Sequence, residues 1–305
     1  MKNGDVIEKS KAQLMRLATY ASVFAAVLLV GIKLATWLYT DSVSVLSSLA
    51  DSLLDTLASL VNLFAVHHAL QPADREHRFG HGKAEPLAGL AQSAFITGSS
   101  IFLLFEVGNH LFHPRPVEHG MVGIGVMVFS IIVTFILISF QRHVIRVTGS
   151  VAIASDHLHY TSDILLNVSV ILAILLSVNF GWYYADPIIG AAIAFYILYS
   201  AFQIGRRALQ ILMDHELPNE DRARITEIVM AHPQVLNLHD LRTRSSGLQS
   251  FIQLHLEMNG KITLHRAHEI VEQVMADIRA AFPNAEVLIH EDPEGIEEER
   301  AEFVE

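Results

Sequence analysis

The chain has 305 residues, 51% of them hydrophobic and 17% charged, with no cysteine. That is a membrane composition rather than a soluble one, and it excludes a disulfide framework and any thiolate metal site. The net charge of −11 lies wholly in the last third, where 19 acidic and 8 basic residues follow from Leu212 onward. This argues against nucleic acid as a partner and marks a domain boundary near Met213.

Residues 1–12 are polar and lack a small-residue cleavage pattern, so no cleaved signal is expected. Six apolar segments follow at about 14–39, 43–69, 85–112, 119–140, 150–178 and 183–211, each near or above the ~20 residues that span a bilayer. Pro72, Gly80, Gly82, Pro114, Pro116, Gly149, Gly181 and Pro187 punctuate the gaps. Lys33, inside the first span, is assigned no chemistry. One side of the membrane carries Lys2, Lys9, Lys11, Arg16, Arg75, Arg78, Lys83, Arg142, Arg146, Arg206 and Arg207, and the other only Arg115. The positive-inside rule then places both termini and the acidic final domain in the cytoplasm.

Two spans carry paired metal-competent side chains. Asp51 and Asp55 in the second, and His159 and Asp163 in the fifth, are each spaced i, i+4. On a helix that spacing puts both on one face, about 6 Å apart along the axis. An Asp at the centre of a membrane helix costs roughly 2.5–3.5 kcal/mol, so four such groups need a compensating partner. From the span ends, Asp51 and Asp55 lie about 12 and 18 Å deep, and His159 and Asp163 about 14 and 20 Å from the opposite face. The depths coincide near the midplane, with Asp51 expected opposite Asp163, Asp55 opposite His159, and Asn167 one turn further on. One imidazole and three carboxylates match a tetrahedral cation site.

The loop between the second and third spans holds Asp74, His77 and His81, able to form a surface metal site, with Gly80 and Gly82 letting the backbone fold round an ion. Solvated surface histidines would read the same way.

The cytoplasmic part reads as α-β-β-α-β. Helix patterns cover 219–231, with Asn219 as N-cap, and 264–281. Strand patterns cover 235–243, 249–258 and 285–291, with a turn at Ser245-Ser246-Gly247. A small ferredoxin-like α+β sandwich is the simplest fit. Its histidines are His232, His239, His255, His265, His268 and His290, and Asp292 shares a strand face with His290. Sequence alone does not bring them together. The Glu-rich tail closes the chain.

Enzyme motifs are absent: His268-Glu269 is followed by Glu272 and His215-Glu216 by Asn219 where H-E-x-x-H needs its second His, and there is no P-loop.

At these residues the chain resembles the cation diffusion facilitator family, most closely its bacterial YiiP-type (ferrous-iron-efflux) members. The likeness rests on D-x3-D in the second span, H-x3-D in the fifth, the P-A-D-x2-H-x-F-G-H-G-K-A-E loop and the terminal I-H-x-D-P. It implies an α-helical polytopic domain of six transmembrane helices over 1–212, a ferredoxin-like cytoplasmic domain for metal binding and dimerisation over 213–293, and an acidic tail over 294–305. It also implies a homodimer in the bacterial inner membrane. By position, Asp51, Asp55, His159 and Asp163 match the transport site, and Asp74, His77 and His81 the loop site. His239, His255, His268, His290 and Asp292 match a binuclear cytoplasmic site, with Asp292 as bridging carboxylate. Lys83 and Asp214 match an interlock pair at the membrane–cytoplasm junction. Glu291 stands where Gln is expected and would alter charge at the cytoplasmic site; Asp41 is also unusual and would affect ion release.

The function expected is export of divalent transition metal, foremost Zn²⁺, in exchange for protons by alternating access, with Cd²⁺, Fe²⁺, Mn²⁺ or Co²⁺ as alternative substrates. Metal and protons compete for the same ligands, with His159 the natural proton carrier. A membrane-anchored metal sensor is the competing reading, opposed by charge at the midplane. An intramembrane hydrolase is opposed by four protein ligands that leave no open position for water.

Overall fold

The computed structural model describes residues 2–40, 43–112, 121–180 and 185–295; Asp41, Pro114, Arg115, Pro116, Gly181 and the tail residues 296–305 lie outside them. Lys9–Leu209 forms one compact unit, and Gln210–Glu305 with Met1–Glu8 forms the other.

The first unit is built from six long helices: α1 (Lys2–Thr40), α2 (Val43–Ala69), α3 (Ala84–Phe112), α4 (Met121–Thr148), α5 (Val151–Phe180) and α6 (Ala185–Leu212). Among the described residues five are long and apolar enough, by length and composition, to cross a membrane; α5 runs 30 residues and carries Asp156, His157, His159 and Asp163 in its first half. Large apolar side chains such as Phe24, Phe64, Phe105, Ile136 and Phe202 face outward, the surface a bilayer would cover. Helix α4 continues to Thr148, past the apolar run that ends near residue 140, because nothing before Gly149 breaks its hydrogen-bond ladder. Gly149, at φ +70°, then supplies the left-handed turn into α5.

Helix α5 packs against α2, α3 and α4. Its first turn is fixed by two acceptors. Ser150 Oγ accepts from the Ile153 N–H at 3.2 Å, and Glu85 Oε1, on α3, accepts from the Val151 N–H at 2.7 Å. Both satisfy amides that a helix start leaves without intrahelical partners. Gly89 lets α3 approach closely, since a Cβ there would meet Val151 Cγ1 at 2.9 Å and the Val151 backbone at 3.2 Å. Ser155 Oγ donates to the Gly89 carbonyl at 3.0 Å, one turn below His159. Buried Tyr160 shares a 2.8 Å hydrogen bond with Ser59 of α2. These contacts set the rotation and height of α5 against α2.

The second unit holds α7 (Asn219–Met230), β1 (Asn237–Ser246), β2 (Gln249–Met258), α8 (Leu264–Ala281) and β3 (Ala285–Pro293). The sheet order is β1-β2-β3, with β1 antiparallel and β3 parallel to β2. Two expectations are corrected. Asn219 is the first residue of α7 rather than its cap; Pro218 holds the cap position and no side chain caps it. The hairpin turn is Gly247-Leu248, because Ser245 and Ser246 still pair in the ladder and Gly247, at φ +67°, tolerates the left-handed conformation a two-residue turn needs. Along α8, Ala267, Ile270, Val271, Val274 and Ile278 form the buried stripe. They pack on Ile252, Leu254, Leu256 and Val287 of the sheet. The alternate residues of β2, His255 among them, therefore point to the other face.

Candidate metal centres

Four groups of acidic and histidine side chains come within metal-binding reach among the described residues, in three places. In the membrane unit, Asp55, His159 and Asp163 each offer a ligand atom within 4.8 Å of the others. His159 Nε2 lies 3.0 Å from Asp55 Oδ1 and 4.0 Å from Asp163 Oδ2. A cavity of about 650 Å³, walled by α2, α3, α5 and α6, opens onto the trio. Asp51 lines that cavity one turn along α2 but stands outside the trio, and its side chain is exposed. Asn167, a turn beyond Asp163, is not among the cavity-lining residues.

The loop group is Asp74, His77 and His81. Asp74 Oδ1 accepts from the backbone N–H groups of His77 at 2.7 Å and Glu76 at 2.9 Å, an Asx turn. These bonds, that from His77 first, and the nearby imidazoles hold the Asp74 carboxyl below its ordinary value. His77 Nδ1 and His81 Nε2 lie 3.5 and 3.4 Å from the two Asp74 oxygens. His81 is buried, its Nδ1 without a hydrogen-bond partner, and the His68 ring packs on it at 4.6 Å. Gly80, at φ +77°, closes the loop.

In the second unit, sheet register makes the site. His239 pairs with His255, and His255 with His290, so three histidines stand abreast across three strands. All three reach one carboxylate. Asp292 Oδ2 lies 2.9 Å from His255 Nδ1 and 3.3 Å from His239 Nε2, and its Oδ1 lies 3.2 Å from His290 Nε2. Asp292 is 8% exposed at the side chain, and the buried His239 Nδ1 makes no hydrogen bond, with Asp240 Oδ2 4.0 Å away. Imidazoles gathered round a buried carboxylate, with one ring nitrogen making no hydrogen bond, fit a divalent N/O-liganded metal. The structure does not bring His268 to this group: it lies exposed on α8, which covers the other sheet face. Strand alternation likewise turns Glu291 away from His290 and Asp292, so its charge is not added to the face that carries them.

Two acidic residues escaped sequence reasoning. Asp240, at φ +48° where the β1–β2 register shifts, groups with His239 and His255; a bulge, which re-aims a side chain, is invisible in the pattern. Asp156 is 1% exposed and accepts from Ser22 Oγ at 2.6 Å, Gln141 Nε2 at 2.7 Å and Gln92 Nε2 at 3.3 Å, joining α1, α3, α4 and α5. Its signal was a second acid in the fifth span, three residues before His159.

Comparison with known proteins matches residues 19–213 to the family described as "Cation efflux transmembrane domain" and 217–294 to "Cation efflux protein, cytoplasmic domain". The chain belongs to the cation efflux family. The "Cation-efflux pump FieF" of Shewanella oneidensis is 48% identical over 283 residues, covering 93% of this chain and 95% of that protein. That of Yersinia pestis (strain Pestoides F) is 49% identical over 276 residues, covering 90% and 91%. A solved "Metal-bound C-terminal domain of CzcD transporter from Thermotoga maritima" is 29% identical, covering 26% of this chain and 93% of that one, with a TM-score of 0.25. As a cation efflux family member the chain is a multi-span membrane transporter and not an enzyme, which removes the hydrolase reading.

Proposed function

We propose that this cation efflux protein exports divalent transition metal, foremost Zn²⁺, from the cytoplasm in exchange for protons. It works as a homodimer by alternating access in the bacterial inner membrane, with both termini cytoplasmic. Residues 1–212 form the transport domain, 213–293 the metal-binding and dimerisation domain, and 294–305 an acidic tail. The observation that carries the reading is the Asp55–His159 contact of 3.0 Å, with Asp163 in the same group, on helices inside the membrane unit. An anchor needs no such group there. Asp55, His159 and Asp163, with Asp51 drawn in from the cavity wall, complete a tetrahedral N/O shell. Protons compete for these ligands, so an acidic exterior releases the ion and the cytoplasm reloads the site. Asp74, His77 and His81 hold metal at the membrane surface. Asp292, with His239, His255 and His290, holds resident Zn²⁺.

The test is Zn²⁺ flux into proteoliposomes under an imposed pH gradient, native chain against Asp163→Ala. Gradient-driven flux that the variant loses is the expected result. No flux from the native chain, with zinc still bound to the cytoplasmic domain, favours the membrane-anchored sensor.

A further inference from the structure

Lys33 is a charged residue in the middle of a membrane helix, and the transport scheme above gives it nothing to do. Its ammonium does not snorkel. Nζ donates to Ser52 Oγ at 2.6 Å and to the Ser48 carbonyl at 3.2 Å, both on α2. Ser52 is 2% exposed and immediately follows Asp51, one turn before Asp55. The two bonds park the ammonium against the α2 segment that bears both carboxylates. No ion-pair contact to a carboxylate is seen for it among the described residues. Its tether runs through Ser52, the chain neighbour of Asp51, which keeps it beside the carboxylate-bearing segment without a place among the ligands.

When a metal is bound the ligating imidazole must be unprotonated, so Asp51, Asp55, Asp163 and one ammonium then carry a net charge of minus two, which one divalent cation cancels. Without the ammonium the loaded site would keep an uncompensated negative charge in a medium that penalises it heavily. Asp156 does not enter this count, because its carboxylate is held by Ser22, Gln92 and Gln141 and belongs to none of the metal-binding groups.

We propose that Lys33 is a positioning residue of the transport site: a tethered counter-charge that matches the site to one divalent cation and weakens its grip enough for the ion to leave. The inference rests on Asp55, His159 and Asp163 being the transport site.

The experiment is equilibrium ⁶⁵Zn²⁺ binding to the full-length chain, with Asp74→Ala and His255→Ala present to break the loop group and both cytoplasmic groups, which share His255. Lys33→Gln keeps a donor for Ser52 and Ser48 but removes the charge, while Lys33→Arg keeps the charge. Lys33→Gln is expected to tighten Zn²⁺ binding at least about tenfold, the direction Coulomb repulsion between ammonium and cation requires, while Lys33→Arg stays within about twofold of the parent. A merely structural role would weaken binding in Lys33→Gln or move both variants alike. Unchanged or weaker binding in Lys33→Gln, or equal tightening in both, overturns the proposal. Adding Asp163→Ala separates the two claims. Binding that survives it overturns the transport-site assignment, and this inference with it. Binding lost there, with Lys33→Gln unchanged, overturns the Lys33 role alone.

Discussion

Asp292 is the residue on which the cytoplasmic group depends, because three imidazoles from three strands reach its two oxygens. Replacing it by Ala takes away the carboxylate that all three imidazoles share and leaves only Asp240, beside His239 and His255, to offset the charge of a dication. Loss of most Zn²⁺ bound by the cytoplasmic domain, and of the zinc-induced rise in thermal midpoint, is the expected outcome by calorimetry. Asp74 sets the pH behaviour of the loop. Its folded value is depressed, so its contribution to loop order is present above the unfolded value near ~3.9 and lost only as pH falls through the folded one. A carboxyl ¹³C titration should find it ionised throughout the range above about pH 4; a midpoint above that would contradict the Asx turn. Glu269, lowered first by its hydrogen bond from Arg266, follows the same sign.

At the scale of elements, the α3–α5 seam carries the geometry of the membrane group. Gly89→Ala places a methyl against Val151 Cγ1 and backbone, an overpacking that costs about 1–3 kcal/mol. A lowered melting temperature and reduced flux, with the cytoplasmic domain's zinc binding unchanged, would show that the seam positions His159 and Asp163. In the other unit the decisive element is the pairing of β2 with both neighbours. The strands themselves were legible from alternation, and so were the paired acids and His–Asp on two spans. That His239, His255 and His290 share one register was not legible, since register between strands distant in sequence is set by the packed face and by the turn. The left-handed Gly247 carries the turn with Leu248, so Ser245 and Ser246 of the Ser-Ser-Gly cluster stay in the strand.

For the whole molecule, the absence of cysteine makes topology directly measurable. Ser10→Cys and Lys261→Cys, both at exposed positions, should react with a membrane-impermeant maleimide in inverted vesicles and not in intact spheroplasts. Labelling of either from outside would reverse the proposed orientation.

By itself the sequence determined the membrane class, the α-β-β-α-β order of the second unit and the residue types able to bind metal, because composition and periodicity act locally along the chain. The tertiary structure decided which of them meet. Asp55 reaches His159 while Asp51 stays on the cavity wall; Asp292 gathers three histidines while His268 stays on the far side; and Lys33 lies parked on Ser52. Those outcomes depend on helix rotation, strand register and a close backbone approach at Gly89, which arise only when residues far apart in the chain are packed to contact.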